Sequence, residues 1–283
     1  MLVTGATGTI GGEIARQLQA RGEPTRVLVR DMAKLSEMDE GVEVAVGDFA
    51  MSEGFDAALD GIERLFLASF DRPEQIELQR NVLTAAKRSG VRHVVRMSTM
   101  GVHERRQLPI FRWHGLCEQQ LEESGLAFTH LRPSWVMQNF QSFVVDDVIR
   151  LPAGEGRIGF VDARDVAAVA VEALTMPGHE GMAYELTGPE SLSHADVAVL
   201  LSAATGRSVV YQDISPKTYE QDKVSKGWPR TSIDSLLALF AEIRAGTNDD
   251  STLTDTVESV TGRAPFRFEE FARDYAPTIG IRY

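Results

Sequence analysis

The apolar positions in the first half of the chain fall into short, β-branched blocks: "MLVT", "TRVLV", "VEVAV", "RLFLAS", "RHVVRMS" and "AFTHLRP". Each is too short for a helix and nearly continuous in apolar character, as expected of a strand covered on both faces. Longer stretches with helical spacing separate them. "EIARQLQARG" is one, and "PEQIELQRNVLTAAKRSG", opened by Pro73 and closed by Gly90, is another. Strands alternating with helices of this length predict βαβ units and a parallel sheet. Six such strands by about residue 132 fit an α/β, doubly wound (Rossmann) fold.

Beyond Pro133 the rhythm loosens. "LPAGEGRIGFV" carries turn residues, and "DARDVAAVAVEALTMPG" reads as a helix beginning at Asp162 or Ala163. "MAYELTG" predicts a strand, "SHADVAVLLSAATG" a helix capped by Ser193, and "SVVYQDIS" a further strand. The remainder is mostly helical down to "RFEEFARDYAP", with no internal repeat and no low-complexity linker. The expected organisation is a dinucleotide-binding body of residues 1–134 plus roughly 160–190. A smaller, discontinuous C-terminal α/β lobe of roughly 135–159 plus 191–283 would pack on it.

Composition narrows the function. The 283 residues are 43% hydrophobic and 25% charged, with a net charge of −12, the profile of an ordinary globule. An acidic chain is poorly suited to nucleic acid, which needs phosphate neutralisation by a basic surface. "VHERRQ" is a short mixed-charge run that reads as a solvated loop. Cys117 is the single cysteine, which excludes an intramolecular disulfide and a cysteine metal cluster, and it reads as a packing residue. No apolar run reaches the roughly 18 to 20 residues of a membrane span, and the first strand leaves no room for a signal peptide. The expected setting is therefore the cytoplasm, without membrane contact.

Chemistry first shows in "VTGATGTIGG", where Gly5, Gly8 and Gly11 follow a strand and open a helix. The first glycine permits the tight turn, the second admits a pyrophosphate close to the backbone, and the third lets helix and strand approach. The helix N-terminus then offers N–H groups and partial positive charge to phosphates, with Ile10 in its first turn and the hydroxyls of Thr7 and Thr9 as added donors. At the end of the second strand stands Arg30, with Lys34 one turn on. An arginine there suits a ribose 2′-phosphate, whereas an acidic residue would suit a 2′-hydroxyl. This favours NADP(H) over NAD(H), with the adjacent Asp31 as the contrary sign. Asp48 in "VGDFA" ends the third strand on the ligand-facing edge, as a turn former or as a cofactor contact.

Four stretches, "VTGATGTIGG", "VRHVVRMSTMG", "HGLCEQQLEESGLAFTHLRPSWVMQNF" and "GFVDARDVAAVAVEAL", resemble the NmrA-like branch of atypical short-chain dehydrogenases/reductases. "YELTGPESLSHADVA" and "VTGRAPFRFEEFARDY" extend the resemblance over most of the chain. That branch includes negative transcriptional regulators as well as NAD(P)H-dependent quinone, azo-dye and triphenylmethane-dye reductases. The resemblance implies that Asp48 and Phe49 lie beside the adenine, that Ala68 and Ser69 continue the cofactor cleft, and that Pro133 to Trp135 run along the nicotinamide. In the wider superfamily a Tyr, and a Lys four residues later, handle the proton that accompanies hydride transfer. Matching "SGLAFTHLRP" to its counterpart puts Ile110 and His114 at those two positions, so the dyad is not kept.

The candidates that remain near the nicotinamide are Ser98, Thr99 and His114. Ser98 and Thr99 end the fifth strand, either touching ribose or substrate or satisfying the backbone. His114 and Glu118 are spaced i, i+4 and would share a helix face, as a surface pair or with Glu118 orienting His114 as cofactor anchor or proton source. Two side chains do not close a metal shell. Phe70, Met100, Trp113, Trp135, Asn139 and Phe140 are the candidate acceptor residues, with core packing as the alternative fate of the aromatics. The expected activity is NADPH-dependent hydride transfer to a planar, electron-poor acceptor (a quinone, a dye, or a conjugated imine or carbonyl). The rival expectation is a non-catalytic NAD(P)(H)-binding sensor that acts on a protein partner.

Overall fold

In the computed structural model, residues 1–32, 42–50, 55–105 and 107–280 are described. Lys34, one of the expected cofactor residues, lies outside them. The first half runs β1 (Leu2–Thr4), α1 (Thr9–Ala20), β2 (Arg26–Val29), β3 (Glu43–Val46), α2 (Phe55–Leu59), β4 (Arg64–Leu67), α3 (Gln75–Arg88), β5 (His93–Met97), α4 (Pro109–Glu123) and β6 (Ala127–Pro133). Each of the six apolar blocks has become a strand. Helix α1 begins four residues ahead of "EIARQLQARG", because Gly8 in an extended conformation serves as its N-cap. Helix α3 begins two residues after Pro73.

The second half adds α5 (Phe140–Phe143), β7 (Val144–Val145), β8 (Val148–Leu151), β9 (Arg157–Ile158), α6 (Ala163–Thr175), β10 (Met182–Leu186), β11 (Leu192–Ser193), α7 (His194–Thr205) and β12 (Val210–Asp213). It closes with α8 (Pro216–Ser225), α9 (Arg230–Ala245), α10 (Thr256–Thr261) and α11 (Phe268–Tyr275). The polar residues expected to start helices do so. Asp162 caps α6 by accepting from the Arg164 N–H, and Ser193 forms a reciprocal capping box with Asp196 on α7.

The main sheet has seven parallel strands in the order β10-β6-β5-β4-β1-β2-β3. The order reverses between β1 and β4, which opens a crevice at the carboxyl ends of those strands. Thr4 secures that point: its hydroxyl donates to the Phe66 carbonyl at 3.0 Å and accepts from the Ala68 N–H at 2.9 Å. Helices α1 and α6 pack against each other on one face of the sheet, with Val166, Ala167, Val169, Ala170 and Val171 buried beneath. Helices α3 and α4 pack on each other over the opposite face of the same sheet, above Leu65, Leu67 and Val94.

A second apolar core gathers Phe140, Phe160, Phe240, Phe268 and Phe271 with Ile149, Val197 and Leu201. It lies beside the small β12-β8-β7 and β11-β9 sheets. Helix α10 packs on α6 and β10, and Val257 is buried in the main-sheet core, because its apolar side has a partner there. Arg105, in the turn after β5, bonds Glu242 of α9 at 2.7 Å and lies 3.1 Å from Asp250. It thereby ties the end of β5 to the second core. No helix among the described residues is long and apolar enough to cross a membrane.

His194, the first residue of α7, has no exposed surface and stacks on Tyr211 at 5.5 Å between ring centroids, with Phe140 and Phe160 alongside. Burial pushes its pKa down to about 4. The unfolded chain therefore binds more protons between about pH 6.5 and 4, so stability falls as pH drops through that window. The full loss is on the order of 3 kcal/mol. His194→Phe is expected to abolish most of this acid-side loss, measured as urea midpoints at pH 7, 6 and 5; parallel pH slopes for the two proteins would refute it.

Candidate active site

The crevice at the carboxyl edge of the sheet holds a cavity of about 400 Å³. Its walls come from successive strand ends: Gly5 to Gly11 after β1, Val29 and Arg30 after β2, Gly47 to Phe49 after β3, Ala68 to Phe70 after β4, and Met97 of β5. Most of the expected cofactor residues meet here, namely Gly5, Thr7, Gly8, Thr9, Ile10, Gly11, Arg30, Asp48, Phe49, Ala68 and Ser69. Leu28, Val29, Gly47, Leu78 and Met97 complete the lining. Their apolar character reads as ordinary strand or helix core in the sequence, and only the topology turns them toward the cleft.

The glycines are there for steric reasons. Gly5 has φ +67°, the left-handed region that side chains disfavour. A Cβ on Gly11 would stand 2.3 Å from the Gly5 carbonyl oxygen, and one on Gly12 would stand 2.9 Å from that of Ala6. Helix α1 can therefore lie directly against the turn. Its first turn carries no acidic side chain, and its N-cap Gly8 supplies no side-chain acceptor. The N–H groups at this end are left for an external anion, which fits a dinucleotide's pyrophosphate. Arg30 is exposed at the far end of the same cavity. The Asp48 carboxylate accepts from the Ala50 N–H at 3.0 Å, so it is both a turn former and a wall residue.

His114 and Glu118 do share a face of α4, but they do not pair. Two arginines on neighbouring strands, Arg96 fully buried and Arg132 half-buried, claim them separately. Arg132 of β6 donates to both Glu118 oxygens, at 3.0 and 2.7 Å. Burial works to raise the Glu118 pKa, but the hydrogen bonds from Arg132 and the charges of His130 and Arg132 outweigh it, holding it at about 2. Glu118, Glu122 and His130 also bring ligand atoms within 4.8 Å of one another. With Arg132 on both oxygens of Glu118, this donor set does not suit a metal.

Arg96 of β5 has no exposed surface. Its Nε donates to the Gln79 side chain at 2.8 Å, and its Nη2 donates to His114 Nδ1 at 3.2 Å. An arginine can only donate, so His114 Nδ1 accepts and Nε2 carries the proton. Nε2 in turn donates to Asp71 at 2.9 Å. Partial desolvation works to raise the Asp71 pKa, but the hydrogen bond from His114 and the charge of Arg96 draw it below the ordinary carboxylate value. Burial pushes the neighbouring Cys117 thiol up, against the lowering effect of Arg96. Cys117 is fully buried, as a packing residue would be. Arg96, Gln79, Asp71 and Arg132 were not among the expected site residues. Arginines inside the apolar runs "RHVVRMS" and "AFTHLRP" are the signs of them in the sequence.

Of the other expected residues, Phe70 lines the cavity and the rest stand apart from its wall. Ser98 is buried, Thr99 is half-buried, and Pro133 is buried at the end of β6. Phe70 lines the cavity, 43% exposed, with the Arg72 guanidinium 5.5 Å from its ring centre. Phe140 does not line it: the ring is fully buried among Phe143, Phe160 and Phe268, because an edge-on aromatic cluster takes all its surface. Met100 and Trp113 are likewise buried, at 3% and 6% exposure. Trp135 packs half-buried on Phe143 and Phe240, whereas Asn139 is exposed.

A family model described as the NmrA-like family matches residues 1–272. The chain belongs to the NmrA-like family. An NAD(P)H azoreductase from Xenophilus azovorans is 41% identical to this NmrA-like chain over 285 residues, covering 99% of both. The structure of an NADPH-dependent quinone oxidoreductase from Escherichia coli, complexed with NADPH, superposes with a TM-score of 0.82 at 27% identity. It covers 96% of this chain and 98% of its own. That of a Citrobacter sp. triphenylmethane reductase complexed with NADP(H) gives 0.80 at 27% identity, over 97% and 99%.

The NmrA-like cradle makes separable demands at its glycines. Gly11→Ala drives a Cβ into backbone and is expected to cost about 3 kcal/mol or more. A Cβ on Gly8 meets the Gly5 carbonyl oxygen at 3.3 Å, so Gly8→Ala should fold nearly normally while weakening dinucleotide binding. Thermal melts and fluorescence titration with NADPH check both; equal melting losses in the two variants would contradict the steric argument.

Proposed function

We propose that this chain is an NADPH-dependent reductase that passes hydride to planar, electron-poor acceptors such as quinones, azo or triphenylmethane dyes, and conjugated imines or carbonyls. The observation that carries this reading is the character of the cavity where β4 and β5 end. Phe70, Met97 and Leu78 line it there, while His114 has both ring nitrogens committed to Arg96 and Asp71. Ile110 and His114 stand where the superfamily's tyrosine and lysine would be, so α4 offers no phenol to protonate a carbonyl oxygen. An acceptor that spreads incoming charge over its own π system does not require one. The names of the azoreductase, quinone oxidoreductase and triphenylmethane reductase relatives support the same acceptor chemistry.

In this reading the bound nicotinamide supplies the hydride. The protein's part is to hold, orient and exclude water. The α1 N-terminus and the Gly5–Gly11 turn would hold the pyrophosphate, Asp48 and Phe49 would border the adenine, and Arg30 would meet the 2′-phosphate. Phe70 would form the flat apolar wall for the acceptor. Residues 1–134 and roughly 160–190, joined by α10, would form the dinucleotide-binding body, and the remainder the smaller lobe.

Two measurements test the reading. Purified protein with NADPH should show acceptor-dependent loss of reduced-nicotinamide absorbance with at least one member of a quinone and dye panel. Tight NADPH binding with no turnover across the panel would leave a dinucleotide-binding sensor instead. Arg30→Ala should weaken NADPH binding about tenfold to a hundredfold, the worth of a charge-assisted hydrogen bond, while leaving NADH binding nearly unchanged. Equal losses for both cofactors would remove the preference for NADP(H).

A further inference from the structure

Phe70 is flanked by two residues that lead back, by separate hydrogen-bonded routes, to one buried guanidinium. On one side, the Ser69 hydroxyl accepts from Gln79 Nε2 at 2.7 Å, and Gln79 Oε1 accepts from Arg96 Nε at 2.8 Å. On the other, Asp71 accepts from His114 Nε2 at 2.9 Å, and His114 Nδ1 accepts from Arg96 Nη2 at 3.2 Å. Gln79 and His114 sit on α3 and α4, and both are buried, at 1% and 6% exposure. The two routes thus bracket the single aromatic residue of the loop after β4, at the end of the cavity proposed above for the acceptor.

We propose that Arg96 is a positioning residue for hydride transfer, clamping Ser69 and Asp71 so that Phe70 is held as the stacking wall of the acceptor site. This rests on the reductase reading above and goes beyond it by assigning the roles of Arg96, Gln79, His114 and Asp71. The chemistry suits a clamp and not a proton relay. Arg96 cannot accept a proton, and its donation fixes the His114 tautomer, so the route transmits orientation only. A fully buried charge is costly unless it is hydrogen-bonded, and a guanidinium sends rigid, diverging donors to two helices at once. A methionine or leucine at position 96 would fill the layer without reaching either helix polar group. His114 acts through Asp71 and belongs to the same clamp.

The test uses Asp71, whose side chain is 57% exposed and whose truncation leaves the core intact. Asp71→Ala should lower kcat/KM for the acceptor about tenfold to a hundredfold, with the NADPH dissociation constant and the melting temperature nearly unchanged. Asp71→Asn keeps an acceptor oxygen for His114 Nε2–H and should restore most of the loss. Since the clamp acts through Phe70, Asp71→Ala should cost less than about twofold more when added to Phe70→Ala. Unchanged kcat/KM in Asp71→Ala, or its full loss repeated on top of Phe70→Ala, would overturn the proposal. Deuterium exchange of the amides of residues 69–72 reads the clamp without turnover. Faster exchange in Asp71→Ala supports it and unchanged exchange refutes it. Failure of the wild-type protein to reduce any acceptor is a separate outcome, which removes the reductase reading and leaves the clamp to be judged by exchange.

Discussion

A backbone oxygen occupies the place where a side chain on residue 11 would have to be. The Gly5 carbonyl stands 2.3 Å from the Cβ that Gly11 lacks, and much of the molecule follows from that approach. It lets α1 lie directly on the β1 turn, with its unsatisfied N–H groups facing the crevice. Helix α1 in turn supports α6, whose small alanine and valine side chains fill the space between helix and sheet. α6 carries α10 against it and is capped by Asp162, which also accepts from Gln138 at 2.8 Å in the turn that begins the second lobe. One steric condition at the first strand thereby reaches the element that returns the chain to the sheet.

The opposite face of the sheet is organised by charge. Arg96 and Arg132 project from adjacent parallel strands beneath α3 and α4, in register where Arg96 neighbours His130. Each guanidinium selects its own partners: Arg132 takes Glu118, and Arg96 takes Gln79 and His114. An apolar layer of the same volume would be as stable or more so, because desolvating an ion can cost more than its pairing returns. What the arginines add is direction. They specify which helix residue faces which strand, and the loop that Arg96 reaches through Gln79 and His114 borders the cavity. That specificity is the reason to place ions where leucines would pack.

The sheet was legible because a buried parallel strand has few ways to look: "RLFLAS" and "AFTHLRP" read as strands from apolar continuity alone. The cradle was legible because Gly5, Gly8 and Gly11 are spaced for a physical function. The small strands β7, β9 and β11 were not, since two-residue pairings leave no periodicity to detect. The site beyond the cradle was read in part. His114 was singled out by matching it to a catalytic position, yet its partners are Asp71, 43 residues upstream, and Arg96. Helical spacing could suggest only Glu118. Local periodicity records which face a residue occupies and says nothing of which strand's side chain meets it there. Phe140 shows the same limit, for an aromatic beside a strand end is equally a core residue, and here the core claims it.

The net charge of −12 sets a constraint on the proposed chemistry. A dinucleotide phosphate approaches an acidic protein against the long-range field, so its binding energy must come from contacts shorter than a Debye length of about 8 Å. The cavity provides them as backbone N–H groups at the α1 terminus, fixed in place before any ligand arrives, and as one guanidinium at Arg30 on its wall. A neutral, planar acceptor meets no such field and is drawn only by the apolar surface of Phe70 and Met97. On the proposed reading the two ligands would be sorted by different forces at opposite ends of one crevice: the anion by oriented donors, the acceptor by desolvation. In that division the acceptor would meet an aromatic wall whose flanking charge, Asp71, is already engaged by His114, while Arg96 would hold the wall from behind.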